Sequence, residues 1–292
     1  MKSLAFLLSL NVVVVTAQTP KDSLALANAP WQTEKLSKGI VWKRAHFQQK
    51  ELFDANQSIN VIEIDHRRRS HTWEIITADS LNKKDKKKGI LRPTSQLAKD
   101  NGAFVAINGG FFDVKNGGSV DFIKIKGYIP DTTRALKGSK ATFHGQVGIT
   151  VDNNRFQLLK GEPFVGWEYN LPVENLLLSG PLLRWNSVNE KLSKNAFNDN
   201  RHPRSCVCTT QSGKTLLITV DGRTPESDGM NLHELTFLTR QFRCTSALNL
   251  DGGGSTTLWI KGKGVVNYPC DNKKFDHEGE RSVSNALILK IK

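Results

Sequence analysis

Apolar and polar positions alternate in short runs along most of the chain, and the runs predict strands. Ile40–Phe47, Ser58–Asp65 and Thr72–Thr77 alternate or run apolar between turn residues. Thr94–Ala98, after Pro93, reads as a helix start that stops at Gly102. Ala103–Ile107 reads as a buried strand that runs into Asn108-Gly109-Gly110-Phe111-Phe112-Asp113. Turn chemistry alone accounts for Asn108 and Asp113. Further short strands are expected at Asp121–Lys126, Gly145–Val151 and Asn175–Ser179. The Asn-rich stretch Asn186–Asn200 reads as a long surface loop suited to a lid.

The period changes once. Leu232, Leu235, Leu238 and Phe242 fall at helical spacing, so Asn231–Phe242 is an amphipathic helix, with Asn231 and Glu234 spaced as a capping box. Strand-like runs flank it, Leu216–Val220 before and Ala247–Leu250 after. A helix of about 12 residues covers roughly 18 Å, close to the roughly 20 Å of a six-residue strand. A crossover to a parallel neighbour would therefore put Asp221 and Asp251 on one sheet edge, where ligands of open sheets bind. The fold class expected is α+β, a mixed twisted sheet with helices packed on it and one strand-helix-strand unit at residues 214–250.

The stretch after the second strand, Asp251-Gly252-Gly253-Gly254-Ser255-Thr256-Thr257, joins an acid to three glycines and three hydroxyls. Glycines let a ligand approach the main chain and let N–H groups converge on an anion, which describes a pocket floor. A hairpin turn is the alternative reading. Arg201-His202-Pro203-Arg204-Ser205 leads into the strand Cys206–Thr210. Guanidinium groups at a strand mouth suit a phosphate, with exposed ion pairing the alternative. Ser255 is not read as a nucleophile, because G-x-S-x-G is absent. His233 and His277 show no pairing pattern and read as surface residues.

Composition narrows the setting. Met1-Lys2, an apolar run from Leu4 to Val15 and Val15-Thr16-Ala17 form a secretory signal with cleavage after Ala17, too short to span a membrane. Residues 18–57 read as a lead-in with a first strand, and 58–292 as the main domain. A secreted or periplasmic location follows. Cleavage removes one lysine from a formal charge of +13, so the exported protein stays strongly basic and favours anionic partners. The run Lys83-Lys84-Asp85-Lys86-Lys87-Lys88 reads as a solvated loop, and no aromatic residues interleave with it as nucleic-acid binding would require. Neither nucleic acid nor stable membrane insertion is expected. Cys206 and Cys208 face one side of a strand, so a bond from one of them to Cys244 or Cys270 is expected in an oxidising compartment. No spacing suggests zinc, and no metal or cofactor is expected.

With these segments in order, the chain resembles the phosphodiester glycosidase family from about residue 58 to the C-terminus. The resemblance rests on Ala106–Phe112, on Arg201–Ser205, on Val220-Asp221-Gly222-Arg223 followed by Gly229 and Glu234-Leu235, on Asn249–Thr256, and on Arg281 with Asn285. Ser205, Cys206 and Cys208 stand where the family usually has Thr and small residues. The resemblance implies a hydrolase that cleaves the glycosidic bond of a sugar-1-phosphodiester of the N-acetylglucosamine type, releasing free sugar and a phosphomonoester. The compact length looks like that of exported bacterial relatives. Asp251 and Asp221 are then the expected base or nucleophile. Asn108, Gly109, Arg201, His202, Arg204, Arg223, Asn249, Gly252, Gly253, Gly254 and Ser255 are expected to bind substrate. Two other classes fit the residues: a phosphodiesterase that cuts the P–O bond of an anionic envelope polymer, and a non-catalytic protein that binds anionic glycans.

Overall fold

The alternation over Ile40–Phe47 and Ser58–Asp65 becomes two long antiparallel strands, Ile40–Leu52 and Ala55–Asp65. In the second, Ile59 and Val61 face one layer of core while Ile62 and Ile64 face another, the two-residue period of a strand buried on both faces. The computed structural model describes residues 20–68, 71–79, 89–133, 147–152, 155–162, 164 and 166–292. The signal segment 1–17 and the basic run Lys83–Lys88 lie outside the described residues.

Three sheets enclose one core. The largest has eight strands in the order Gln32–Ser37, Ile40–Leu52, Ala55–Asp65, Lys214–Val220, Arg204–Thr210, Cys244–Asn249, Leu182–Trp185 and Val188–Asn189. A five-stranded sheet runs Gly264–Val265, Leu258–Ile260, Val105–Asn108, Asn285–Ile291, His71–Thr77. The third runs Arg155–Lys160, Val147–Asp152, Leu176–Leu178, Ile123–Ile125, Tyr128–Asp131. Leu217, Leu248 and Val207 of the first, Ile107, Leu258 and Leu287 of the second and Ile123 and Ile149 of the third meet in the central cluster. The helix Leu232–Gln241 covers the outer face of the large sheet with Leu232, Leu235, Phe237 and Leu238, and Thr94–Asp100 covers that of the five-stranded sheet with Leu97 and Ala98.

The molecule is mostly sheet, and the sheet is not mixed. Each pairing between these strands is antiparallel. Residues 214–250 do form strand, helix and strand, but the two strands are not neighbours. Arg204–Thr210 lies between them and pairs with both. The cause is local: a short turn at residues 210–214, with Gly213 N donating to Thr210 O, folds Lys214–Val220 back on Arg204–Thr210. Ala55–Asp65 takes its other edge. The strands ending at Val220 and Asn249, both antiparallel to the one between, run in the same direction and reach the same edge.

Within the expected lead-in, residues 20–57 are structured. They give the helix Pro20–Ala27, the strands Gln32–Ser37 and Ile40–Leu52, and the start of a third strand of the large sheet. The Asn-rich loop holds a short helix, Ala196–Asp199, capped by Asn195, whose side chain accepts from Asn198 N. Cys208 bonds Cys244 across adjacent strands, with Cα atoms 5.8 Å apart, on the helix-covered face. Cys206 and Cys270 are free and buried. No helix among the described residues is long and apolar enough to cross a membrane.

His71 is 5% exposed, edge-on to Trp73 and 5.5 Å from the His66 ring. Burial, reinforced by the charges of His66 and Lys292 against that of Asp65, pulls its pKa down to about 4. The unfolded chain takes up this proton near pH 6.5 and the folded chain only near 4, so stability is full above 6.5 and falls as pH drops through that window. On the order of 2–3 kcal/mol should be lost between pH 7.5 and 4.5 through this group. Urea unfolding at both pH values should show His71→Phe with a correspondingly smaller pH effect than wild type. Equal pH effects in the two proteins would refute the assignment.

Candidate active site

Three strand ends converge on one edge of the large sheet. Arg204 opens its strand opposite Val220, and Cys206 lies opposite Asn249. The Arg201–Arg204 motif therefore sits between Asp221 and Asp251. The five-stranded sheet meets this edge through Asn108 and Gly109. Asp251 N donates to Gly109 O at 3.0 Å, and Asn108 Nδ2 donates to Asp251 O at 2.7 Å. Gly109 N donates to Asn285 O at 3.1 Å. A methyl group on Gly109 would lie 2.1 Å from Asn285 Oδ1, so only glycine permits this approach.

Below the edge lies a buried tier. Asn108 Oδ1 accepts from Ser205 Oγ at 2.6 Å and from Thr257 N at 3.2 Å. Asn249 Nδ2 donates to Gly180 O and Leu250 O. Asp221 has no solvent exposure. Its carboxylate accepts from Ser58 Oγ at 2.7 Å, Asn267 Nδ2 at 2.9 Å and Tyr268 N at 2.8 Å. Burial pushes its pKa up and these bonds pull it back. So enclosed, its carboxyl does not reach solvent, where the sequence had suggested that Asp221 and Asp251 both face one crevice. Ser255 is likewise fully buried.

The arginines divide. Arg201 spends its guanidinium on Glu234, with Nη2 to Oε1 at 2.6 Å, and on Phe53 O. Glu234 meanwhile completes the capping box with Asn231. Arg204, 1% exposed, donates to Met230 O, Phe197 O and Asn200 O, and lies 4.9 Å from the Phe197 ring. Burial and the nearby Arg223 lower its pKa to about 10, so it remains charged at neutral pH. These bonds make Arg204 the clamp of the Asn-rich loop.

Above them lies the mouth. Asp251 is half-buried, and its Oδ1 accepts from Gly252 N at 2.9 Å. Arg223 is exposed and holds a left-handed backbone at φ 65°. Its Nη2 lies 3.5 Å from His202 Nδ1, and its charge acts on the nearby Cys270 thiol. Burial and the cations Arg204 and Arg223 lower the pKa of His202, and burial raises that of the Cys270 thiol. A methyl group on Gly253 would lie 3.1 Å from the Arg223 Nη atoms. Among the described residues no carboxylate forms an ion pair with Arg223. Arg281 is paired with Asp271 through two 2.7 Å bonds, and that pair sits against Gly254.

Of the expected site residues, the fold brings Asp251, His202, Arg223 and Gly252–Gly254 together at the mouth. It sets Asn108, Gly109, Asn249, Ser255 and Asp221 in or beside the floor and commits Arg201 and Arg204 to loops. The segment 267–281 was missed. It brings Asn267, Tyr268, Cys270, Asp271 and His277 to this edge, whereas the sequence had offered Cys270 only as a disulfide candidate, His277 as a surface residue and Arg281 through the family resemblance. Among the described residues no group of three or more His, Cys, Asp or Glu side chains is arranged to hold a metal ion.

A model of the phosphodiester glycosidase family matches residues 101–290. N-acetylglucosamine-1-phosphodiester alpha-N-acetylglucosaminidase from Bos taurus is 32% identical over 196 residues, which is 61% of this chain and 34% of that protein. The chain thus matches about a third of the length of these curated relatives. The catalytic domain of the zebrafish protein of that name, auto-inhibited by pro-peptide, superposes with a TM-score of 0.64 at 20% identity, covering 91% of this chain and 85% of that one. A hypothetical protein from Synechocystis superposes with a TM-score of 0.66 at 16% identity, covering 90% and 64%. At these identities the structures share the fold.

The buried role of Asp221 is testable. Asp221→Ala leaves three buried donors without an acceptor, at roughly 1–3 kcal/mol each, and should cost about 3 kcal/mol or more in urea unfolding. Asp221→Asn keeps an acceptor for Asn267 and Tyr268 and should cost less than half as much. An Asn variant of wild-type stability but no activity would instead give this carboxylate a direct chemical role.

Proposed function

The chain belongs to the phosphodiester glycosidase family, and from that membership we propose that it hydrolyses the glycosidic bond of a sugar-1-phosphodiester, releasing free sugar and a phosphomonoester. N-acetylglucosamine is the sugar named for the relatives and the first to try. The observation that carries this reading is Arg223, an exposed guanidinium with no carboxylate partner among the described residues, beside the glycine loop that follows Asp251. A phosphate with one ester on each side suits that cation, and Asp251, which the glycine loop follows, is the carboxylate that would act on the sugar carbon.

The chemistry follows from the bond. Breaking C1–O leaves cationic character on the sugar carbon and puts a second negative charge on the departing phosphate. Asp251 stabilises the first, as nucleophile or as base for water. Arg223 and the N–H groups of the glycine loop hold the second. A phosphate leaves readily, so little help from a proton donor is needed. Asp221 acts one layer down by fixing Tyr268 and Asn267. The N-terminal pattern supports export, and the Cys208–Cys244 disulfide fits an oxidising compartment.

The test follows products by phosphorus and proton NMR with UDP-N-acetylglucosamine as the first substrate. Free sugar plus UDP is expected. Sugar-1-phosphate plus UMP would move the cut to phosphorus and overturn the mechanism. Asp251→Asn, which keeps an acceptor for Gly252 N, should lower kcat by about 100-fold or more without unfolding the protein. Arg223→Ala should raise KM and lower kcat together, since its charge meets both bound substrate and departing phosphate.

A further inference from the structure

A second concave surface lies at the far end of the large sheet, away from the crevice. Three turns meet there, at residues 37–40, 65–68 and 210–214. Asp65 N donates to Gly39 O at 2.8 Å and His66 N to Gly213 O at 3.3 Å, which ties the turns side by side. Gly39 holds φ 79°, and a methyl group on it would lie 2.7 Å from Arg68 Cγ, so glycine lets the arginine stem cross the first turn.

Between these turns runs a groove of about 490 Å³, with Lys35, Lys38, Arg68, Lys214, Glu63 and Asp65 in its walls. That volume falls within the roughly 300–1,000 Å³ of ligand sites. A cleft of about 420 Å³ shares Glu63 and Lys214 with it and extends it to Phe242 and Arg243 at the end of the helix Leu232–Gln241. Lys35, Val41, Glu63 and Leu216 stand opposite one another in a row across the strands, and Leu216 belongs to the core under that helix. The groove therefore continues the outer face of the sheet past the point where the helix stops covering it.

Its two carboxylates are already matched. Glu63 meets Lys43 at 2.5 Å and Lys214 at 2.8 Å, and Asp65 takes two 2.8 Å bonds from Arg67. Lys35, Arg68 and Arg243 are exposed, and none of the three forms an ion pair among the described residues. Such an excess of cations in a concave surface draws anions. The aromatic ring in the lining, Phe242, is half-buried against Trp31, so no row of rings offers bases a stacking platform. Val41 and Leu216 are not exposed either, so no apolar side chain projects for insertion into lipid. Exposed Gln211 and Ser212 supply hydrogen-bonding groups of the kind sugar hydroxyls use.

We propose that this groove is a second, non-catalytic binding site for a glycan chain whose units are joined through phosphate, and that it holds the chain while the crevice works on it. Lys214 and Val220 are the two ends of a seven-residue strand, so groove and crevice lie roughly 20 Å apart, farther than one sugar phosphate reaches. A single phosphodiester meets the crevice alone, and a chain of several units meets both. That the chain is also the substrate rests on the reaction proposed above, whereas binding in the groove does not.

The probe is a fluorescent six-unit oligomer of N-acetylglucosamine joined through C1 phosphodiesters, titrated by anisotropy against the whole protein carrying Asp251→Asn so that the oligomer stays intact. Adding Lys35→Gln with Arg68→Gln, which keeps the stems and removes two charges, should weaken binding about tenfold at low salt. Lys99→Gln with Lys126→Gln removes the same charge elsewhere and should weaken it less than about twofold. In the wild-type background the groove pair should leave kcat/KM for UDP-N-acetylglucosamine within about twofold, because the crevice lies beyond the screening length of about 10 Å. Equal weakening by the two pairs would reduce the effect to net charge and overturn the proposal. So would a thymidine oligonucleotide of equal charge, or phosphatidylglycerol vesicles, held as tightly as the oligomer and weakened alike by the groove pair, since the surface would then belong to nucleic acid or membrane. Oligomer binding that the groove pair weakens, with neither compound hydrolysed by wild type, would keep the proposal while overturning the proposed reaction.

Discussion

One buried side-chain amide, that of Asn108, joins the parts on which the site depends. It sits at the end of a strand of the five-stranded sheet, accepts from Ser205 of the large sheet and from Thr257 N beyond the glycine loop, and donates to the backbone of Asp251. No other side chain of that size supplies an acceptor for two donors and a donor for a carbonyl at once. Aspartate would set a carboxylate against the Asp251 carbonyl, and leucine would strand three partners in a dry interior. The sheets pack through their apolar faces wherever they meet, so hydrophobic burial holds them together without fixing the register of their edges. Asn108 fixes that register at the one place where it decides where Asp251 stands.

The same edge shows why positive charge is buried beneath it. Arg204 is enclosed with no carboxylate partner among the described residues and is held by three backbone carbonyls, two of them at the Asn-rich loop. Carbonyl dipoles compensate a guanidinium without cancelling its charge. Arg201, by contrast, is neutralised by Glu234, which is itself committed to capping a helix. Two arginines of one short motif thus take different partners: Arg201 ties its own segment to the helix behind the sheet, and Arg204 clamps the Asn-rich loop while keeping its charge beneath the edge.

Much of this was legible in the sequence because local periodicity and cap chemistry are local facts. The amphipathic helix, its capping box, the shared face of Cys206 and Cys208 and the Asp251 glycine loop each follow from residues a few positions apart. Strand order does not. The sequence joined Leu216–Val220 to Ala247–Leu250 through a helix and made them neighbours, whereas the hairpin with Arg204–Thr210 had already taken the shared edge. Burial of single acids was equally hidden. Asp221 and Asp251 both follow a strand and precede glycine. What separates them is Ser58 and Asn267, 163 and 46 positions away, which enclose only the first. Residues 267–281 gave no sign of their place at this edge, because a polar loop shows no period and its position is set by distant neighbours such as Asp221.

The charge distribution at the mouth matches a change in charge better than it matches a resting ligand. A phosphodiester carries one negative charge, and on losing its sugar it becomes a monoester carrying nearly two at neutral pH. A fixed guanidinium therefore attracts the departing group more strongly than the bound one, and the difference lowers the barrier in addition to holding the substrate. Arg281 contributes less to this, because Asp271 already balances it. In the proposed reaction Asp251 would work in the opposite sense, on positive charge that exists only while the bond is breaking. Among the described residues Arg223 pairs with no carboxylate, and the loop that follows Asp251 lies against its guanidinium at Gly253. In the proposed reaction a ligand with its sugar toward Asp251 and its phosphate toward Arg223 would lie between two charges that each favour the broken bond.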